Sequence, residues 1–183
     1  MPRAWLSHDA PDILVLLLLT ASLVGNVYLG MRVIGDNSVR HAEGNLPVGA
    51  TIQSLEARDS TGDVRTIRFG DGSKATVLLV FSAQCTWCKR TWPQFVRLAG
   101  ALDDRFDFVA LCLDSHVSGF EGPFPILTSP SPSTVAALGV RSVPQTVVVG
   151  PGGQVQKVWN GAYLGQIAAD MGRYFSVAIE PIE

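Results

Sequence analysis

Two cysteines three positions apart are the residues with the clearest chemistry in this sequence. Cys85 and Cys88 enclose a threonine and a tryptophan in the tetrapeptide Cys-Thr-Trp-Cys. Thiols at this spacing can close into a disulfide and reopen, and the thiolate of one can attack a disulfide in another molecule. The motif therefore indicates dithiol–disulfide exchange through a redox-active Cys85–Cys88 disulfide, which requires no other cofactor.

The elements around the pair assign a role to each cysteine. The apolar run Ala75–Phe81 precedes the pair and predicts a buried strand. Apolar side chains at helical spacing follow it: Trp92, Phe95, Val96, Ala99 and Leu102. The start of a helix offers unpaired N–H groups and a partial positive charge, which favour a thiolate, and Lys89 and Arg90 add positive charge. We therefore predict that Cys85 is the exposed nucleophile and that Cys88, one turn further on, is the shielded resolving thiol.

A Cys-x-x-Cys can also be half of a structural zinc site, which needs two more Cys or His ligands. Cys112 is the third cysteine and lies alone in an apolar run, with His116 shortly after it. The other histidines precede the predicted domain. We therefore predict no metal site, and we interpret Cys112 as a small hydrophobic core residue and His116 as a loop residue.

The amino-terminal part of the chain predicts a membrane anchor. Residues 13–31 carry no charge, and at about 1.5 Å per residue they can span the roughly 30 Å hydrocarbon core of a bilayer. We predict an N-terminal segment at 1–12, a single transmembrane helix at 13–34 and a linker at 35–46. A cleaved signal peptide is the alternative, but no small-residue cleavage site is evident. Lys and Arg counts do not orient the helix, so the extracytoplasmic, periplasmic placement of the remaining chain is inferred from the cysteine chemistry.

Residues 47–183 are enough for one α/β domain. Alternation, apolar runs and turn residues predict these further elements: a hairpin of Thr51–Ala57 and Val64–Phe69, a buried strand Phe106–Leu113, a short helix Ser133–Leu138 capped by Ser131 or Ser133, a hairpin of Thr146–Val149 and Val155–Trp159, and a last helix with an apolar face from Leu164 to Phe175. A strand–helix–strand unit favours a parallel pair. We expect a mixed central sheet with helices on both faces.

Three features together resemble the thioredoxin superfamily, from Pro47 to about Phe175. They are the strand–Cys-x-x-Cys–helix element VLLVFSAQCTWCKR, a proline five residues after the second cysteine, and a Val143-Pro144 step before a strand. The resemblance implies that Pro144 is cis and packs beside the cysteines, and that the backbone of Val143 is free to pair with a substrate. It also implies that Thr86 and Trp87, between the cysteines, support substrate binding and tune the reduction potential.

Within this superfamily, the predicted anchor, the early hairpin and an insert at about 115–138 are similar to the membrane-anchored TlpA/ResA-like redoxins. That resemblance implies a thiol–disulfide oxidoreductase acting on exported proteins, chiefly a reductase in the maturation of cytochrome c or other periplasmic enzymes. Its partners would be exported thiols or disulfides and a thiol-transferring membrane protein as electron donor or acceptor. Leu79 stands where thioredoxin carries a buried Asp, Thr91 where TlpA-like proteins often carry Glu, and Gln84 where Trp is usual. These departures leave the direction of electron flow open.

Other functions remain as alternatives. A peroxiredoxin-like peroxidase would use one cysteine with a nearby arginine such as Arg141, but it leaves the cysteine pair unexplained. A copper chaperone on the same scaffold would prefer a longer cysteine spacing and a distal histidine, and a docking module would bind a client without chemistry. The net charge of −2 gives no basic footprint for nucleic acid.

Overall fold

The structure is a computed structural model that describes residues 15–16, 18–26, 28, 46–69, 72–180 and 182. The chain divides into two compact units, Met1–Glu43 and Gly44–Glu183. The described residues of the first unit are helical. Within the described part of the chain, no helix combines the length and the apolar character needed to cross a bilayer. The predicted segment 1–12, most of the linker and the rest of the predicted anchor lie outside the described residues.

The second unit is built on a mixed sheet. Its described residues form seven strands in one sheet: β1 Ser54–Arg58, β2 Val64–Arg68, β3 Ala75–Phe81, β4 Phe106–Cys112, β5 Ile126–Thr128, β6 Gln145–Val149 and β7 Val155–Asn160. Their order across the sheet is β2-β1-β5-β4-β3-β6-β7. The pairs β3–β4 and β4–β5 are parallel and the other pairs are antiparallel.

Strand β3 lies at the centre of this arrangement. It pairs with β4 on one side and with β6 on the other, and the side chains from Val77 to Phe81 have no exposed surface. Because both faces and both edges of β3 are covered, every position along it favours an apolar side chain. This explains the continuous apolar run, and the observed strand has the predicted limits.

Three helices accompany the sheet in the described part of this unit: α1 Thr86–Leu102, α2 Pro132–Ala137 and α3 Gly165–Phe175. Phe95 of α1 and Phe175 of α3 pack with the side chains of β3 that face them, in one buried cluster. On the opposite face, the chain entering the domain and the end of α2 cover the alternate side chains of β3 in a second cluster. The sheet is therefore covered on both faces, as predicted.

The short helix α2 begins at a capped position. Ser131 is its N-cap, and the hydroxyl of Ser131 accepts a hydrogen bond from the N–H of Thr134 at 3.2 Å. The hydroxyl of Thr134 in turn accepts from the N–H of Glu56 at 2.7 Å and donates to the carbonyl of Glu56 at 3.0 Å. The bonds between Thr134 and Glu56 attach α2 to β1. The bond from Thr134 to Ser131 shows that Ser131, and not Ser133, is the cap.

Most strand limits in the sheet agree with the sequence expectation to within one residue, and two places differ by more. The predicted first strand, Thr51–Ala57, is observed from Ser54, because Thr51 makes only an isolated bridge to Gln154 and the N–H of Ile52 bonds to the carbonyl of Gly153 at 2.8 Å. The segment Ile126–Thr128, expected to be part of an irregular insert, forms β5 between β4 and β1. The insert thus joins the early hairpin to the rest of the sheet.

Candidate active site

Cys85 is the N-cap residue of α1. Its backbone is extended, with φ −81° and ψ 118°, and its sulfur accepts a hydrogen bond from the N–H of Cys88 at 3.2 Å. A cap residue normally satisfies one of the unpaired N–H groups that open a helix, and here a sulfur does so. Cys85 is partly exposed, whereas Cys88 has no exposed surface. The predicted difference in accessibility between the two thiols is therefore present.

Burial also separates the two thiols chemically. Burial, chiefly, and the hydrogen bond with Cys85 raise the pKa of Cys88 to about 12, against an ordinary value of 9.0. A backbone N–H from Ser82 acts in the opposite direction, and negative charge on Cys85 or Cys112 raises the pKa further. Cys88 is therefore a protonated, shielded thiol at neutral pH while both cysteines are reduced.

The Val143–Pro144 step lies close to the sulfur of Cys85. Its peptide bond is cis, as the resemblance implied. The thiol of Cys85 points to the carbonyl oxygen of Val143 at 3.7 Å. Strand β6 begins at the next residue, Gln145, whose register partner is Val80 near the end of β3. The pairing of β6 with β3 thus brings the proline loop to the cysteine pair.

The two residues between the cysteines form an exposed surface beside Cys85. Thr86 is the first residue of α1 and is exposed. The side chain of Trp87 is 45% exposed, and the guanidinium of Arg90 lies 5.2 Å from the centre of its ring. This distance is typical of a cation–π contact. Trp87 therefore presents an exposed aromatic surface two residues after Cys85.

Aromatic side chains form the base of the site beneath α1. The ring of Trp92 packs edge-on against Phe120, with 4.9 Å between the ring centres, and Phe81 lies 5.2 Å from Trp92 and 4.7 Å from Phe120. The indole N–H of Trp92 donates to the carbonyl of Glu121 at 2.9 Å. These contacts fix the chain segment around residue 120 against the helix that carries the cysteine pair.

The remaining residues singled out from sequence take ordinary positions. Leu79 and Thr91 are completely buried, and the hydroxyl oxygen of Thr91 has no hydrogen-bond partner among the residues that the structure describes. His116 is exposed, with Nδ1 at 2.8 Å from the carbonyl of Ser115. Arg141 is exposed, two residues before Val143. Among the described residues, no three His, Cys, Asp or Glu side chains are grouped as metal ligands would be.

Asp114 is a polar residue near the cysteine pair that sequence reasoning missed. One of its carboxylate oxygens, Oδ2, accepts hydrogen bonds from the N–H of Ala83 at 2.7 Å and from the hydroxyl of Ser82 at 2.9 Å. The thiol of Cys112 lies 3.8 Å from the same oxygen. Cys112 is completely buried, and this burial raises its pKa. The only signal in the sequence was that Asp114 directly follows a predicted buried strand.

Comparison with solved structures identifies the fold of this chain. No protein-family model matches the chain, and neither does any curated protein sequence. A protein of Chlorobium tepidum, described as the thiol:disulfide interchange protein DsbE, superposes with a TM-score of 0.60 at 18% identity, over 72% of this chain and 98% of its own. The thioredoxin domain of a thiol-disulfide oxidoreductase of Bacteroides vulgatus gives 0.58 at 13% identity, over 72% and 99%. DsbF of MTB gives 0.54 at 22% identity, over 71% and 98%. The chain therefore has the thioredoxin-like fold that these proteins share.

Proposed function

We propose that this chain is a thiol–disulfide oxidoreductase that reduces disulfides in exported proteins. One observation carries the proposal: Cys85, at the start of α1, is partly exposed and its sulfur accepts a hydrogen bond from the N–H of Cys88, whereas Cys88 is completely buried. One accessible nucleophile and one withheld thiol are what a two-step exchange needs. Two structural neighbours named above, one described as a thiol:disulfide interchange protein and one as a thiol-disulfide oxidoreductase, support the same activity.

The exchange begins when the thiolate of Cys85 attacks one sulfur of a client disulfide. The client S–S bond breaks, a mixed disulfide forms, and the leaving client thiolate takes a proton from water. Cys88 then loses its proton to solvent and attacks the sulfur of Cys85, which releases the second client thiolate. The client gains two electrons and two protons, and the Cys85–Cys88 disulfide remains, to be reduced again by a separate dithiol donor.

The mixed disulfide itself prepares the second step. Two of the influences that raise the pKa of Cys88 come from Cys85, namely its hydrogen bond and its negative charge. Both disappear when the sulfur of Cys85 is bonded to the client, because it then carries neither a proton nor a charge. The pKa of Cys88 falls accordingly, and the thiol becomes a better nucleophile only when there is a mixed disulfide to resolve.

Client binding is assigned to the exposed surface around Cys85. The backbone of Val143 is close to the reactive sulfur, at 3.7 Å from its carbonyl oxygen, and can pair with an extended client segment as an added strand. Trp87 and Thr86 flank the sulfur on the side of α1. We expect Trp87→Ala to raise KM for a folded client protein more than for a small disulfide such as oxidised glutathione.

Trapping of the mixed disulfide tests the activity. The full-length Cys88→Ser variant, reduced and mixed with a disulfide-containing protein, should accumulate a covalent adduct that dithiothreitol releases. Cys85→Ser should form none, and the wild type should reduce the client without accumulating adduct. Robust hydrogen peroxide consumption by Cys88→Ser together with no adduct would instead favour a one-cysteine peroxidase. Absence of both adduct and client reduction would refute the proposal.

The reduction potential of the Cys85–Cys88 pair tests the direction of electron flow. A reductase should have a potential near that of thioredoxin, about −270 mV, whereas a value near −120 mV would mark a strong oxidant. Equilibration of the wild-type chain with glutathione buffers, followed by thiol trapping and mass analysis, measures this value directly. A potential near −120 mV would reverse the proposed direction and leave the exchange chemistry in place.

We also propose that residues 13–34 anchor the chain in the cytoplasmic membrane, with the redox domain on its outer face. The absence of charge over residues 13–31 supports the anchor. The redox chemistry supports the side, because protein disulfides persist mainly in oxidising compartments. The full chain should stay with membranes in alkaline carbonate, and its domain should be open to protease from the periplasmic side. Release by carbonate, or protection from protease, would contradict the corresponding part of this proposal.

A further inference from the structure

A short loop, residues 82–84, connects β3 to the cysteine pair and is hydrogen-bonded to Cys85. The N–H of Cys85 donates to the carbonyl of Ser82 at 3.1 Å, and the N–H of Gln84 donates to the hydroxyl of Ser82 at 3.2 Å. Cys85 is therefore hydrogen-bonded directly to this loop, and a shift of the loop would change the position of Cys85.

The loop is held from outside by one carboxylate oxygen. Oδ2 of Asp114, at the carboxyl end of β4, accepts from the N–H of Ala83 and the hydroxyl of Ser82 at 2.7 and 2.9 Å. Strands β3 and β4 are parallel, with Phe81 opposite Cys112, so their carboxyl ends reach the same edge of the sheet. Among the described residues, no other carboxylate makes a hydrogen bond with the loop.

We propose that Asp114 is a positioning residue for disulfide exchange, which fixes the loop 82–84 and through it the placement of Cys85 at the start of α1. This inference rests on the proposed exchange function and adds a residue to it. Asp114 touches neither reacting sulfur; it acts through Ser82 and Ala83. One carboxylate oxygen can accept two hydrogen bonds, so a single side chain can hold two residues of the loop at once.

The hydrogen-bond geometry of Asp114 separates the effect of its negative charge from the effect of the position of its oxygen Oδ2. Both hydrogen bonds end on Oδ2, whereas the other carboxylate oxygen has no hydrogen-bond partner among the described residues. An asparagine in this place can put its carbonyl oxygen at the position of Oδ2 and accept both bonds. Asp114→Asn should therefore keep the brace, and Asp114→Ala should lose it, although both variants remove the charge.

The experiment compares the full-length reduced chain with four variants. We measure the rate at which iodoacetamide alkylates Cys85 at pH 7, the equilibrium constant of the cysteine pair with glutathione, and kcat/KM for a protein disulfide. Asp114→Ala should slow alkylation at least fivefold, shift the equilibrium constant at least fivefold and lower kcat/KM at least tenfold. Asp114→Asn should stay within threefold of the wild type in all three. Ser82→Ala removes one of the two bonds to Asp114, together with the bond from the N–H of Gln84. It should fall between the two Asp114 variants.

Asp170→Ala is the matched control. Oδ2 of Asp170 also accepts two hydrogen bonds, from the indole of Trp159 and the ammonium of Lys157, each at 2.8 Å, and Oδ1 accepts one from Arg173 at 3.2 Å. This variant should lose stability yet leave all three thiol measurements within twofold. Equal thiol effects in Asp170→Ala and Asp114→Ala would reduce the role of Asp114 to general stability and overturn the proposal. So would a wild-type result for Asp114→Ala, an unchanged Ser82→Ala, or an Asp114→Asn variant as impaired as Asp114→Ala.

The alkylation rate tests the role of Asp114 independently of the proposed exchange function. Iodoacetamide needs no client and no exchange activity, so it reports on the placement of Cys85 alone. A wild type that reduces no protein disulfide, together with slowed alkylation in Asp114→Ala and normal alkylation in Asp114→Asn, would refute the proposed function and support the positioning role. If Asp114→Ala does not fold, Asp114→Asn and Ser82→Ala decide the outcome by the same criteria.

Discussion

The buried thiol of Cys88 offers the sharpest quantitative test of the site. The chain contains three cysteines, so the variant Cys85→Ser/Cys112→Ala leaves Cys88 as its only thiol, and Cys88→Ser/Cys112→Ala leaves only Cys85. Each thiol can then be titrated by its rate of alkylation without any competing group. The first variant removes the influence of Cys85 on Cys88, but it leaves burial, the largest cause of the raised pKa.

The magnitude follows from the pKa of Cys88. A value of about 12 against an ordinary 9.0 is a difference of about three pH units. The thiolate fraction of Cys88 at pH 7 is then about a thousandfold smaller than that of an ordinary cysteine, because each unit is a factor of ten. Removal of Cys85 recovers a part of this factor. We expect the alkylation rate of Cys88 at pH 7 to remain at least a hundredfold below that of an ordinary cysteine. Because Cys88 has no exposed surface, iodoacetamide also reaches it less easily.

The assay is alkylation by iodoacetamide from pH 6 to pH 11, followed by mass spectrometry, with glutathione as the reference thiol. Circular dichroism at each pH restricts the comparison to folded protein, and the same variant in guanidinium should react at the rate of glutathione. The rate for Cys88 should still rise tenfold per pH unit above pH 9. A folded variant whose Cys88 reacts at pH 7 within tenfold of glutathione would refute the assignment of Cys88 as the withheld, protonated thiol.

Three further predictions concern the framework of the site. Phe95→Ala should lower the free energy of unfolding by about 3–5 kcal/mol in chemical denaturation, because Phe95 is completely buried against Trp92 and the sheet; a loss under 1 kcal/mol would contradict that packing. Cys112→Ala should cost about 1 kcal/mol and leave client reduction within twofold, since Cys112 serves as a core side chain; loss of turnover in a stable variant would give it a redox role. Hydrogen bonds from Lys157 and other donors lower the pKa of Asp170 to about 2, below its ordinary 3.8. The stability of the wild type should therefore fall between about pH 4 and pH 2, and that of Asp170→Asn should fall less, as thermal melts at stepped pH would show. Identical acid profiles for the two proteins would argue against the ion pair.

The parts of the fold that could be predicted are those encoded by neighbouring residues. The continuous apolar run of β3 and the helical spacing in α1 are local patterns, and the structure has both elements where the sequence predicts them. The position of Cys85 at their junction follows from the same two patterns. The exposure difference between Cys85 and Cys88 is then a matter of helix geometry, because residues one turn apart at a helix start differ in how far they enter the core.

Strand β5 could not be predicted for the opposite reason. It has three residues, too few for an alternation pattern, and it is a strand because β4 and β1 are available on its two sides. Its β-structure depends on partners that are distant in sequence, such as Arg58, which pairs with Thr128. The irregular composition around it, rich in glycine, proline and serine, gives the local signal of a loop.

Asp114 was missed for the same physical reason, and the consequence is larger. Its bonds reach back over 31 and 32 residues to the loop before Cys85, so no window around the Cys-Thr-Trp-Cys motif contains it. The motif supplies the helix start and the sulfur atoms, whereas the brace comes from the end of the neighbouring parallel strand. Transfer of residues 85–90 alone into another thioredoxin-like chain should therefore carry over the exposed Trp87 surface but not the placement of Cys85. Transfer that includes Ser82 and Asp114 should carry over both.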